Sequence, residues 1–244
     1  MRIDIVPLTE AHIPAAAALV AARYRDLRRH VPLLPASYAD PDVMASLLGG
    51  LVPRVPGAAA MRDGALAGFL AGYLIPHFRA RPGVFCPEWA NAVEPEGGRR
   101  IYEELYTWLA ERWIADGYIQ HALALFAHDR PAIEAWHWLG FGLAAADGVR
   151  SLDPVPVDAP GVTVRRATLN DVNTVAGLLV GLRHHLASSP TFLVQDKEDP
   201  RVQSEAWLAD AKIALWLAQS ATDSAGFLVC GPATDNASTV IVDP

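Results

Sequence analysis

The chain opens on an alternation of apolar and polar positions, Ile3-Asp4-Ile5-Val6, followed by Thr9 and a run rich in Ala and Leu from Ile13 to Arg29. Alternation with a period of two predicts a strand, and the run after it predicts a helix. Further on, Gly57 to Arg62 and Ala65 to Ile75 flank Asp63-Gly64, a dipeptide suited to a two-residue hairpin turn. Pro82 to Val93 predicts a further strand, interrupted by Pro87. Between Arg99 and Asp116 the apolar residues Ile101, Leu105, Trp108, Leu109 and Trp113 form a helical stripe that Gly117 ends. Tyr118 to Ala127 is small or apolar on both alternating faces, with His121 the main exception. That pattern predicts a central strand covered on both sides, with the preceding helix packed on it through Ile101, Leu105, Trp108 and Leu109. Next, Asp129 caps a short helix, Pro131 suits its first turn, and Ala132, Ala135, Trp136 and Leu139 share one face. Gly140 provides a left-handed stop.

The opening recurs. Ile3 to Ile13 matches Val162 to Val172, offset by 159 positions, and a helix from Asp171 to Leu186 follows the second copy with Asp171 as its expected cap. Three prolines in Asp153 to Gly161 favour an extended linker between the copies. The expected organisation is a domain at 1–153, a linker at 154–160 and a partial second domain at 161–244. In the second copy, Trp207 to Ala218 reads as a helix end and a strand, Ser220 to Ser224 as a turn, Gly226 to Cys230 as a strand, and Thr239 to Val242 as the start of another. Trp207, Leu208, Ile213, Leu215, Trp216 and Phe227 are too many large apolar groups for half a domain to leave exposed. This half should pack on the first copy, pair with the same segment of a second chain as a homodimer, or need residues after Pro244.

The segment from Asp129 to Phe141 resembles the motif Asn-x-x-Ala-x-x-x-Tyr-x-x-x-Gly-Phe of the GNAT acyltransferases. Asp129, Ala132, Trp136, Gly140 and Phe141 stand at its marked positions, with Asp129 and Trp136 as substitutions. The resemblance implies an α/β fold, a mixed sheet with helices on both faces, as a GNAT-like acyl-CoA N-acyltransferase domain plus a partial second copy. It implies acetyl-CoA as co-substrate and a primary amine, on a small molecule or a protein, as acceptor. The family cradles the CoA diphosphate on a loop of the form Arg/Gln-x-x-Gly-x-Gly/Ala. Here Val93-Glu94-Pro95-Glu96-Gly97-Gly98-Arg99-Arg100-Ile101 keeps part of that pattern in Gly97 and Gly98, while the family's later glycine positions fall near the bulky Arg100 and Tyr102. A helix N-terminus with small residues still offers backbone N–H groups to an anion, and Arg99 and Arg100 can offset Glu94 and Glu96. The cofactor-binding residues implied are Val93, Gly97, Gly98, Arg99, Arg100, Ile101, Asp129 and Trp136.

The family's proton donor is the motif tyrosine. Trp136 stands there, and an indole N–H does not deliver a proton at neutral pH. Tyr102 and His137 are the candidate donors left, and Glu88 is the candidate base for the amine. Two readings follow. One is an acetyltransferase; the other is a non-catalytic GNAT-like module that packs with or regulates an active acetyltransferase domain beyond residue 244. An unrelated α/β binding protein would lack a splay between the fourth and fifth strands.

A net charge of −7 argues against nucleic acid or an anionic membrane as partner. The longest apolar run, Ile13 to Ala22, contains Pro14 and is far short of the roughly 20 residues that span a bilayer. Met1-Arg2-Ile3-Asp4 lacks a signal-peptide pattern, so a cytoplasmic protein is expected. Cys86 and Cys230 alone encode neither a disulfide framework nor a metal cluster, and no metal is expected.

Overall fold

The computed structural model describes residues 2–78, 81–156, 159–190, 192–193, 198–236 and 239–241. The chain divides into two compact units, residues 1–150 with 238–244, and residues 151–237. Val157 and Asp158 of the expected linker, and Val242 of the expected last strand, lie outside the described residues.

The first unit begins with β1 (Asp4–Pro7), α1 (Ile13–His30) and α2 (Pro41–Leu51). Asp40 starts α2 by accepting the Asp42 N–H at 2.9 Å, with Pro41 at the first helical position. Strands β2 (Gly57–Arg62) and β3 (Ala65–Ala71) form the expected hairpin, with Asp63 at φ 50° and Gly64 at φ 81°. Both turn residues are left-handed, the geometry that matches strand twist. β3 gives way to β4 (Tyr73–Phe78) at Gly72, where a Cβ would sit 2.6 Å from the Val84 side chain. The next strand is likewise split, into β5 (Arg81–Cys86) and β6 (Asn91–Val93), around Pro87. Then come α3 (Gly98–Ala115), β7 (Gln120–Leu123) and α4 (Arg130–Trp138).

One sheet runs β1-β2-β3-β6, all antiparallel, and the other runs β4-β5-β7. β7 joins β5 in parallel, from Gly83↔Gln120 to Cys86↔Leu123. One core lies around Tyr24, Leu48 and Phe69, with Val20 and Met44, on the α1 and α2 side. The other lies around Leu70, Ile101, Leu105, Leu109, Trp113 and Trp136, on the α3 and α4 side. Each fully buried large apolar side chain among these contributes about 1.5–3 kcal/mol.

The expected central strand, Tyr118 to Ala127, is an edge. Within the described residues β7 pairs with β5 alone, and no strand follows α4 in this unit. α3 packs chiefly on β2 and β3, and it meets β7 through Tyr106 and Trp113 against His121. Its Trp108 is not fully buried and lies beneath the Arg112 guanidinium. His121 is a structural link: its Nδ1 meets the Tyr106 hydroxyl at 2.9 Å and its Nε2 meets the Tyr118 carbonyl at 3.0 Å.

The second unit comprises β8 (Thr163–Arg166), α5 (Val172–Ala187), α6 (Pro200–Ala209), β9 (Ala214–Gln219) and β10 (Ser224–Cys230), with sheet order β10-β9-β8. This strand–helix–helix–hairpin order repeats that of β1 through β3. Both helices α1 and α5 are entered through a short 3-10 turn capped by threonine, Thr9 with His12 and Thr168 with Asp171. Asp171 is therefore not the plain side-chain cap expected. Its carboxylate turns back to accept the Thr168 N–H at 2.8 Å and a bidentate contact from Arg165 at 2.6 and 3.0 Å. One sheet face buries Leu215 and Leu217 with Val175, while Val164, Trp216 and Leu228 remain exposed on the other. Thr239–Ile241 forms a 3-10 turn, not a strand; Val240 is buried in the first unit and its carbonyl accepts the Tyr24 hydroxyl at 2.9 Å.

Candidate active site

β5 and β7 stay paired as far as Cys86 and Leu123, and the last backbone bond between them runs from the Ala124 N–H to the Cys86 carbonyl at 2.9 Å. Beyond it β6 and the 124–129 segment diverge, and a cavity of about 990 Å³ opens in the first unit. Its walls come from α1, the β6–α3 loop and the start of α4.

Asn91 sits at the apex of this splay, 3% exposed. Its amide nitrogen donates to the Pro87 carbonyl at 2.9 Å and to the Ala124 carbonyl at 3.2 Å, spanning the gap. Its Oδ1 accepts the Tyr102 hydroxyl at 3.1 Å. Tyr102 projects from α3 into the cavity lining, and burial pushes its phenol above the ordinary value. The same hydroxyl accepts from Arg23 Nη1 at 3.4 Å.

Gly97 stands at φ 72° and Gly98 opens α3. The first bond inside the helix runs from the Ile101 N–H to the Gly97 carbonyl, so the N–H groups of Gly98, Arg99 and Arg100 precede it without helical acceptors. All three residues line the cavity. A Cβ at Gly98 would meet the Val93 side chain at 3.0 Å, so the backbone approach depends on a small residue. Arg62 pairs with Glu94 and donates to the Glu96 carbonyl at 3.2 Å, which neutralises one acid and fixes the loop. That offsetting role was expected of Arg99 and Arg100. Arg99 instead lies over the Trp138 ring at 4.5 Å, and Arg100 faces Glu104 at 3.5 Å.

Asp129 caps α4 as expected, its Oδ1 accepting the Ala132 N–H at 3.1 Å, and it is ion-paired with Arg23. Gly140 ends the helix at φ 89°.

Of the residues singled out from sequence, the cavity is lined by Tyr102, Val93, Gly97, Gly98, Arg99, Arg100 and Asp129. Ile101 and Trp136 are core residues that lie outside the lining. Ile101 is fully buried, and Trp136 packs against Tyr102, Tyr106 and Phe141. Its indole N–H has no hydrogen-bond acceptor among the described residues. His137 is exposed on α4, outside the lining, because the helix turns Ala132, Ala135 and Trp136 inward. Glu88 is buried in the 87–90 segment between β5 and β6, also outside the lining. Sequence reasoning missed Arg23, Arg62 and Asn91. Among the described residues, no group of three or more His, Cys, Asp or Glu is placed to hold a metal ion. No helix of the described chain is long and apolar enough to cross a membrane.

No protein-family model matches the sequence, and no curated protein matches it. Solved structures do. A PaiA N-acetyltransferase from Thermoplasma acidophilum in complex with coenzyme A is 14% identical, over 61% of this chain and 94% of that one, at a TM-score of 0.49. A ribosomal-protein-alanine N-acetyltransferase from Brucella melitensis biovar Abortus 2308 is 17% identical, over 62% of this chain and 100% of that one, at a TM-score of 0.44. An aminoglycoside acetyltransferase from an uncultured soil metagenomic sample is 22% identical, over 65% of this chain and 100% of that one, at a TM-score of 0.43. Within the chain itself, the strand order, the interrupted strand before α3 and the parallel pairing of β5 with β7 make the first unit a mixed α/β fold through α4.

Proposed function

We propose that the first unit is an N-acetyltransferase that moves an acetyl group from acetyl-CoA to a primary amine, and that the second unit is a partial copy of the same fold. The single observation carrying this reading is the cavity between β6 and α4, with the open N-terminus of α3 on one wall and Tyr102 in its lining. Gly97 and Gly98 let a diphosphate approach the backbone N–H groups, and the Arg62–Glu94 pair offsets one acid of the lining. The diphosphate end of the co-substrate therefore fits the residues present. Bound acetyl-CoA supplies an acyl group already activated as a thioester.

The chain's own contribution is positioning and proton transfer. Tyr102 replaces the motif tyrosine whose place Trp136 takes. A tyrosine phenol is protonated at neutral pH, and burial here acts in the same direction, so Tyr102 holds a proton to donate to a departing thiolate. Asn91 and Arg23 hold that hydroxyl in place. Glu88, buried beside the splay, is the candidate base for the incoming ammonium, through water.

The reading is tested by following thiol release from acetyl-CoA by the full chain, across small-molecule and peptide primary amines. Tyr102→Phe should lower kcat by about 10²-fold or more, the contribution typical of a positioned acid, with little change in KM for acetyl-CoA. Equal turnover by Tyr102→Phe would remove Tyr102 from the chemistry.

The non-catalytic reading is favoured by one observation, the Arg23 side chain that crosses the cavity. Binding of acetyl-CoA without turnover of any amine would support it.

A further inference from the structure

Arg23 engages three partners from two walls of the cavity. It projects from α1, and its Nη1 donates to the Val93 carbonyl at 3.1 Å and to the Tyr102 hydroxyl at 3.4 Å. Its Nη2 is paired with Asp129, the cap of α4. The guanidinium thus bridges the two diverging edges that the splay separates. Both charged side chains are largely withdrawn from water, at 19% and 16% exposure. Val93 is the last residue of β6, and its carbonyl is an acceptor that an amide-bearing ligand arm lying along this edge would need.

Gly98, Arg99 and Arg100, at the start of α3, line the same cavity as Arg23. An anion held there would compete with Asp129 for Arg23. A carboxylate and a diphosphate are both strong planar-fork partners for arginine, and a diphosphate carries more charge. A neutral ligand offers nothing in exchange for the broken ion pair.

We infer that Arg23 is a two-position arm that closes the thioester slot when held by Asp129 and opens it by moving onto the diphosphate of an incoming acyl-CoA. This inference rests on the reading of the cavity as an acyl-CoA site. It assigns Arg23 a specificity role: the arm admits thioesters that carry a diphosphate and rejects short thioesters that lack one. A ligand that needs a minor open state binds more weakly by the fraction of molecules that are open. Asp129 becomes the latch, and its removal frees the arm for the diphosphate.

The test measures affinity by calorimetric titration of the full chain with two probes, acetyl-CoA and S-acetylpantetheine. Four proteins are compared: wild type, Arg23→Gln, Arg23→Lys and Asp129→Asn. Wild type should prefer acetyl-CoA strongly. Arg23→Gln should bind S-acetylpantetheine about tenfold more tightly than wild type and lose most of the preference, as removal of a closed state held at about ten to one requires. Asp129→Asn should act in the opposite sense on the long probe and tighten acetyl-CoA, because the latch is gone and the arm remains. Arg23→Lys keeps the charge without the planar fork and should fall between wild type and Arg23→Gln.

If Arg23→Gln weakens acetyl-CoA and leaves S-acetylpantetheine unchanged, Arg23 is a plain phosphate contact and the inference is wrong. It is also wrong if Asp129→Asn weakens acetyl-CoA, or if no variant changes the ratio of the two affinities. Should acetyl-CoA bind none of the four folded proteins, the acyl-CoA reading of the cavity fails, and the arm's role falls with it. Circular dichroism confirms folding of each variant. Arg23→Lys keeps the charge half of the test alive if Arg23→Gln does not fold.

Discussion

Asp129 has two structural tasks that substitution can separate. Its Oδ1 accepts the Ala132 N–H at 3.1 Å, which caps α4, and its other oxygen pairs with Arg23. Asp129→Asn keeps a cap acceptor and removes the charge, whereas Asp129→Ala removes both. Loss of the cap costs about 1 kcal/mol. The ion pair is less than one-fifth exposed on either side, so water replaces it poorly. Breaking a charged hydrogen bond of this kind costs about 1.5–3 kcal/mol. Arg23 keeps the Val93 carbonyl and the Tyr102 hydroxyl as acceptors, which places the loss at the lower end, about 1.5 kcal/mol. Asp129→Asn should therefore cost about 1.5 kcal/mol and Asp129→Ala about 2.5 kcal/mol. At roughly 2–4 °C per kcal/mol for a chain of this size, the Tm should fall by about 3–6 °C and 5–10 °C respectively. Differential scanning calorimetry at neutral pH reads both. A double-mutant cycle with Arg23→Gln should give a coupling of about 1 kcal/mol or more. A coupling near zero, or an asparagine variant as stable as wild type, would show that the pair across the cavity holds nothing. Equal losses for the two Asp129 variants would refute the capping role.

Three further outcomes follow from packing and charge. Gly68→Ala should destabilise the first unit by about 1–3 kcal/mol in urea unfolding, because its Cβ would lie 2.7 Å from Val93 Cγ1 and 2.8 Å from Ile101 Cγ2. Gly49→Ala, in α2 with nothing within 4 Å of its new Cβ, should stabilise by about 0.5–1 kcal/mol instead, and a matching loss there would overturn the argument from space. In the second unit the Arg165 hydrogen bonds, aided by Thr168, hold the Asp171 carboxyl well below the usual carboxylate range. Its stabilisation is full above the unfolded value near about 3.9 and is lost as pH falls through the lower folded value. Asp171→Asn should flatten this acid-side loss in a pH series of unfolding midpoints; an unchanged acid profile would show that the pair does not set it.

Local chemistry was legible where the partners lie close in sequence. The Asp63-Gly64 turn, the break at Pro87, the Asp129 cap and the Gly140 stop each depend on neighbours within a few residues. The helix α2 also left a signal, Asp40 before Pro41, that the apolar pattern did not bring out. Tyr118 to Ala127 misled because apolar residues on both faces read as full burial. Here the strand lies at an edge, and its continuation borders a cavity. Thr239-Val240-Ile241 misled in a related way: a β-branched run needs a strand edge to pair with, and this one turns so that Val240 meets Tyr24. The site itself was only partly visible. The glycines at the start of α3 declare themselves, but Arg23 reaches a carbonyl 70 positions away, and Arg62 reaches an acid 32 away. Nothing in the residues around an arginine tells which distant acceptor the fold brings to it.

As proposed above, acyl-CoA enters the first unit between β6 and α4 with its diphosphate at the start of α3. Calorimetric titration of acetyl-CoA into the full chain and into Gly98→Glu tests it most directly. The new side chain would meet Val93 at its first carbon and bring a negative charge to the anion cradle. The wild-type chain should bind saturably and the variant at least about tenfold more weakly, as loss of a charged contact of about 1.4 kcal/mol or more requires. Equal affinity in the two proteins, or no binding by the wild-type chain, would contradict it.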